Sequence, residues 1–270
     1  MDQKEKYPSL VYKYKNWTED NHKNVLKKNQ LFFTSPKDFN DPFDYKIPHD
    51  YSLLNTVEKI DAYLKKKKEY HQSQGSEIDD NFMQMLEKFG WRLRNESDKV
   101  QQEYNTLYFD GADIHYGVLS LSERWDSILM WSHYGDFHKG YCVGFWEEKM
   151  RNSILATGGR IYYPQNDEFP KIDPLGDEII NMVLQSHAKS NDWRYEQEYR
   201  LTKIFYPEIP SIKDRIQEIP NIFFAEIIIG LNATAETRNE IVQIGKEKGV
   251  KVYQVIKVPF KFAIDRIELS

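Results

Sequence analysis

Residues from about Leu53 to Tyr104 read as one long, polar, helix-patterned stretch, with short strand-like runs on both sides of it. Phe82, Met85, Leu86 and Phe89 repeat at helical spacing within it, and Gln72-Ser-Gln-Gly-Ser76 interrupts it. Such a chain is expected to build a β-core whose two parts are separated in sequence by a helical insert at about 53–105. The strand-like runs are 10–14, 30–34, 116–122, 140–145, 159–163, 195–204, 226–229 and 251–258. Helices are expected from Thr18 or Asp20 to about Lys28, over Ser127–Tyr134, over Asp177–Ala188 and from Ala235 to Lys248. In the third of these, Ile179, Val183 and Leu184 mark the expected apolar side. No repeat or low-complexity linker divides the chain. Residues 1–270 are therefore expected to form a single α+β domain, mostly antiparallel in its β-core, with helices to the sides. The glycines match neither the Rossmann nor the P-loop pattern, and no βαβ context is expected.

Composition narrows the classes. A length of 270 residues with 40% hydrophobic content is enough to bury a full core. A net charge of -5 argues against broad electrostatic capture of nucleic acid, and Lys65–Lys68 reads as a solvated helix face, with nucleic-acid contact as the alternative. The single cysteine, Cys142, excludes an internal disulfide and a cysteine-based zinc site, and it fits a reducing compartment. No apolar stretch follows Met1, and no run has the length of a membrane span. A soluble cytoplasmic protein without a membrane partner is expected. The 14% of aromatic residues suits both an aromatic core and stacking on a planar ligand.

Three segments carry chemistry. Asp192-Trp-Arg-Tyr-Glu-Gln-Glu-Tyr-Arg-Leu201 sets Glu196 and Glu198 two apart. In a strand both would share one face with Arg194 and Arg200. Carboxylates that close need a cation or a shared proton between them. The second segment, Ser35-Pro-Lys-Asp-Phe-Asn-Asp-Pro-Phe-Asp44, is a fixed irregular loop. Asn40 or Asp41 is expected to bond nearby backbone, and Phe39 or Phe43 to pack against the strand carrying Tyr12–Tyr14. The third, Trp131-Ser-His-Tyr134 with His138, spaces its histidines off one helix face, and no metal is expected there. His133 could instead bond a substrate hydroxyl or phosphate, or fix the helix-to-strand turn.

Taken together and in order, these pieces resemble a mainly bacterial family catalogued as domain of unknown function twenty-nine seventy-one. They are Leu10-Val-Tyr-Lys-Tyr14, Phe39-Asn-Asp-Pro-Phe-Asp44, Leu119-Ser-Leu-Ser122, Met130 through Phe145, and Trp193-Arg-Tyr-Glu-Gln-Glu-Tyr-Arg200. The order of elements is also similar to that of ADP-ribosyltransferases. That resemblance implies a split β-core, NAD as substrate, and a ligand site on Tyr12, Lys13, Tyr14, Phe39, Asn40, Ser120, Ser122 and Tyr134. It implies Glu198 as the carboxylate stabilising a ribosyl cation, Glu196 as the group that orients or deprotonates an acceptor, and His133 beside them. The acceptor would be a protein or nucleic acid, and the setting a bacterial effector, toxin or phage-defence protein with a cognate antitoxin or immunity partner. The usual first-strand Arg or His is absent, with Lys13 or a tyrosine in its place. Two other classes stay open: a metal-dependent nuclease using Asp41 or Asp44 with Glu196 and Glu198, and a non-catalytic nucleotide- or protein-recognition module.

Overall fold

The computed structural model describes residues 7–153, 157–166 and 168–270. The expectation of no leader rests on residues 1–6, which lie outside the described residues. The described residues form ten strands: β1 (Leu10–Lys15), β2 (Gln30–Phe32), β3 (Tyr116–Ser122), β4 (Tyr141–Trp146), β5 (Thr157–Arg160), β6 (Glu198–Ile204), β7 (Ile216–Glu218), β8 (Phe224–Ile229), β9 (Lys251–Lys257) and β10 (Ile264–Glu268). Eight join one sheet in the order β10-β9-β8-β4-β1-β3-β6-β5, and β2 pairs with β7 alone. The α-helices are α1 (Asp20–Lys27), α2 (Val57–Ser73), α3 (Asp80–Asn95), α4 (Ser97–His115), α5 (Ile128–His133), α6 (Glu147–Ser153), α7 (Glu178–Ser186) and α8 (Ala235–Lys248). The fold is α+β with a mixed, mostly antiparallel sheet. Among the described residues no helix is long and apolar enough to cross a membrane.

Alternation along the strands sorts residues between two sheet faces. Val11 of β1 joins the larger core, which α1, α6 and α8 cover with Leu26, Met150 and Ile241. Tyr12 and Tyr14 face the other way and pack with Met130 and Trp131 of α5 and with Cys142. Cys142 is buried.

Several expectations are corrected. The insert forms three helices and runs to His115 rather than 105, because α4 continues unbroken to the first residue of β3. It packs around a small core of its own that includes Ile60, Tyr63, Leu93 and Val100. A βαβ unit is present: β8 and β9 are parallel, which requires a crossover, and α8 supplies it. In α7 only part of the expected apolar side faces inward: Leu184 packs against the buried cluster of Ile47, Ile172 and Ala188. Ile179 and Val183 are exposed, while Asn181 and Gln185 are buried through bonds to the carbonyls of Asp173 and Ile47. The expected strand at 195–204 begins only at Glu198, since residues Asn191–Glu196 form a 3-10 turn.

The eight strands form one continuous sheet, with a seam between β1 and β3. Strands β1 and β4 are in register from Leu10–Trp146 to Lys15–Tyr141, and β3 and β6 from Tyr116–Ile204 to Ser122–Glu198. Strands β1 and β3 are in register only at Tyr12–Ser122. Beyond that pair they diverge. Lys13 Nζ donates to the Ser120 carbonyl at 2.6 Å, and Thr34 bridges Val118 further along. The loop that follows Thr34 fills the resulting wedge. Pro36 starts a 3-10 turn there, and the Ser35 hydroxyl donates to the Asp113 carbonyl at 2.5 Å.

Candidate functional site

The seam opens into a cleft of ≈ 110 Å³. Strand β1 contributes Tyr12, Lys13 and Tyr14, and β3 contributes Ser120 and Ser122. Phe39, Asn40 and Asp44 come from the wedge loop, Tyr134 follows α5, and Lys189, Glu196 and Glu198 close the far side. Larger concavities exist, but this is where buried ionisable groups converge, which is the stronger mark of a site.

The two glutamates do not share a strand face. Gln197 lies between them at φ 41°, in the left-handed region, and ends the 3-10 turn before β6 begins. The Ser122 hydroxyl donates to the Glu196 carbonyl at 2.6 Å and fixes this kink. Both carboxylates nevertheless meet at Lys189, whose Nζ lies 2.7 Å from Glu196 and 3.4 Å from Glu198. Arg200 completes the cluster. Its Nε and Nη2 clasp Glu198 at 2.8 and 3.0 Å. Its Nη1 and Nη2 clasp Asp44 at 3.0 and 2.8 Å, and Nη1 also reaches the Ser186 carbonyl at 2.7 Å. All five guanidinium donors are thereby used. Arg194, expected on the same side, is exposed instead.

Glu196, Glu198, Asp44, Lys189 and Arg200 are all buried. A buried charge costs several kcal/mol unless it is paired, so the ion pairs are a condition of this packing. Burial pushes the Glu198 carboxyl up, but Arg200 and Lys189 outweigh it and hold it well below the ordinary carboxylate range. Glu196 moves the other way. Burial, with the Glu198 charge adding, raises it above its usual value despite Lys189. Its second oxygen accepts from the Tyr134 hydroxyl at 2.6 Å. Burial opposes the charge of Lys189, yet Glu198, Glu196 and Asp44 hold its pKa above the usual value. Lys13 is different. Burial, then Lys15, pull it down to about 7. The cleft thus combines an ionised carboxylate, a carboxyl of raised pKa with a phenol attached, and a cation that titrates near neutrality.

The tyrosine hydroxyls of β1 are occupied away from the cleft, Tyr12 on Glu226 at 3.0 Å and Tyr14 on the Arg124 carbonyl at 2.7 Å. Their rings are the parts free to form its walls. His133 does not line the cleft. It is exposed, with Nδ1 2.9 Å from the Tyr195 hydroxyl. Helical geometry turns it away from neighbouring Trp131, which is fully buried. Phe39 packs edge-on to Tyr45 at 6.4 Å rather than onto β1, and Phe43 is exposed beside Phe169. Asp41 accepts from the Phe43 amide at 2.9 Å, the local lock expected of this loop.

Sequence reasoning missed Lys189 entirely and did not foresee the Arg200–Asp44 clasp. An isolated lysine after a helix carries no pattern, and the clasp joins residues 156 apart. Among the described residues no group of three or more His, Cys, Asp or Glu could hold a metal ion. The carboxylates of Asp44, Glu196 and Glu198 surround the Lys189 ammonium, which takes the central position a metal would need.

No curated protein and no solved structure matches the chain. A family model does match, over residues 130–201, a segment that takes in Tyr134, Lys189, Glu196, Glu198 and Arg200. The family is described as protein of unknown function (DUF2971), and over this segment the chain is similar to it.

Proposed function

We propose that the chain consumes NAD at the seam cleft, breaking the bond between nicotinamide and ribose. The observation that carries this reading is the pair of unlike carboxylates, an ionised Glu198 and a Glu196 of raised pKa, within one aromatic-walled cleft. Residues far apart in sequence converge there, as a site requires. When the bond breaks, its electron pair neutralises the nicotinamide ring nitrogen, and positive charge develops on the ribose. Glu198, held by Arg200, would face that charge. Water or a nucleophile on a protein or nucleic acid would then attack, giving its proton to Glu196. Small-molecule pockets commonly span about 300–1,000 Å³. A cleft of ≈ 110 Å³ therefore suits the nicotinamide ring, with the rest of the dinucleotide outside.

A second reading has its own support. Each carboxylate of the cluster already has a cation partner, which suits a recognition module that holds a planar ring without turnover. Incubation with NAD, following NAD loss and free nicotinamide, separates the two. Turnover that falls about a hundredfold in folded Glu198→Gln supports catalysis. A rise in melting temperature with NAD but no nicotinamide supports recognition. Neither turnover nor a melting shift removes NAD from both readings.

A further inference from the structure

The insert and α7 enclose a second concavity of ≈ 510 Å³, within the usual range of about 300–1,000 Å³ for small-molecule sites. Three features of its lining define a ligand. The first is aromatic. Tyr63 and Tyr70 come from α2, Tyr104 and Tyr108 from α4, with Tyr51 beside them. Tyr51 is locked by its hydroxyl to Tyr63 at 3.2 Å and by an edge-to-face contact with Tyr104 at 5.3 Å. The ring walls are therefore preformed.

The second is a pair of side-chain amides. Gln185 is buried, and its Nε2 donates to the Ile47 carbonyl at 3.1 Å. Asn105 Oδ1 accepts from Gln101 at 2.6 Å. That leaves an acceptor, Gln185 Oε1, and a donor, Asn105 Nδ2, without a hydrogen-bond partner among the described residues. The third is a cation. Lys65 pairs with Glu69 and Lys66 with Glu178, but Lys67 has no ion-pair partner among the described residues. Its Nζ stands 5.3 Å over the Tyr63 ring. Burial, then Lys67 and Lys66, lower the pKa of His49 on the pocket wall, so at neutral pH it adds a polar group and not a second charge.

We infer that this pocket binds a nucleoside monophosphate, its base against the tyrosines and amides and its phosphate on Lys67. A planar heteroaromatic matches the walls, a base edge matches a donor and an acceptor, and one anionic group matches one unpaired ammonium. The inference does not depend on NAD chemistry at the seam. The same two segments do serve both places: Asp44 precedes His49, and Ser186 and Lys189 follow Gln185.

Calorimetric titration of the full chain with AMP, adenosine and inorganic phosphate tests it. AMP should bind saturably and more tightly than either fragment. Lys67→Ala, at an exposed position, should weaken AMP about tenfold and leave adenosine nearly unchanged. Asn40→Trp, which adds bulk at the seam cleft, should leave AMP binding intact. The inference is overturned by an absence of AMP binding, by phosphate binding as well as AMP, by an unaltered Lys67→Ala, or by loss of binding in Asn40→Trp.

Discussion

Lys13 Nζ donates to the carbonyl oxygen of Ser120 across the line where β1 and β3 part. In an unbroken ladder a backbone amide would meet an acceptor on that side of β3. Here a side chain does so, the two strands stay apart beyond Tyr12–Ser122, and the gap becomes the cleft. A sheet defect is thus held open by a cation whose pKa is about 7.

The depressed Lys13 pKa sets a pH dependence of stability. Between about 7 and the ordinary lysine value of 10.5 the unfolded chain binds the proton and the folded chain does not. Stability should therefore rise with pH across that window and lose this contribution as pH falls towards 7. Denaturant titrations at a series of pH values should give a shallower rise for Lys13→Met than for wild type. Equal slopes would show that Lys13 is not charged at the cost of folding.

Arg200→Met should be among the most damaging single changes. It leaves Asp44 and Glu198 buried with only Lys189 as a cation. Breaking a buried pair on one side commonly costs about 3–5 kcal/mol. Arg200→Lys should recover part of this at best, since an ammonium cannot replace the forked clasp on two carboxylates. Chemical denaturation measures both. A loss below 1 kcal/mol, against this expectation of about 3–5, would mean the cluster reorganises freely.

Gln197 is the hinge that lets Glu196 and Glu198 converge. Its φ of 41° is costly for a side chain branched at Cβ. Gln197→Val should destabilise the fold by about 1–2 kcal/mol. Gln197→Gly should be neutral or stabilising. If the two variants melt alike, the left-handed turn is not maintained in solution.

The wedge loop offers a contrast between neighbours. Asn40 is exposed, so Asn40→Ala should change stability by no more than about 0.5 kcal/mol. Asp41 is buried and bonds the Phe43 amide, so Asp41→Ala should cost about 1 kcal/mol. Thermal melts of the two proteins make the comparison, and equal effects would place the lock elsewhere.

Local signals were legible where the physics is local. Helix α8 spans the expected Ala235–Lys248, because Thr234 caps its start and Gly249 adopts φ 66° at its end. Strand β3 runs over the expected Tyr116–Ser122. Residues Tyr12, Lys13, Tyr14, Phe39, Asn40, Ser120, Ser122, Tyr134, Glu196 and Glu198 could be named from their order along the chain, and all of them line the cleft. Their arrangement there could not be read in advance. Alternation predicted one strand face for the glutamates, whereas a left-handed Gln197 and a distant Lys189 bring them together. Hydropathy predicted that Ile179 and Val183 face inward, whereas hydrogen bonds to remote carbonyls draw Asn181 and Gln185 inside. Periodicity and capping depend on neighbours a few positions away, and the sequence displays those neighbours. The seam depends on buried charges that are tolerated only when partners from Asp44 to Arg200 arrive together, and only the tertiary structure decides that.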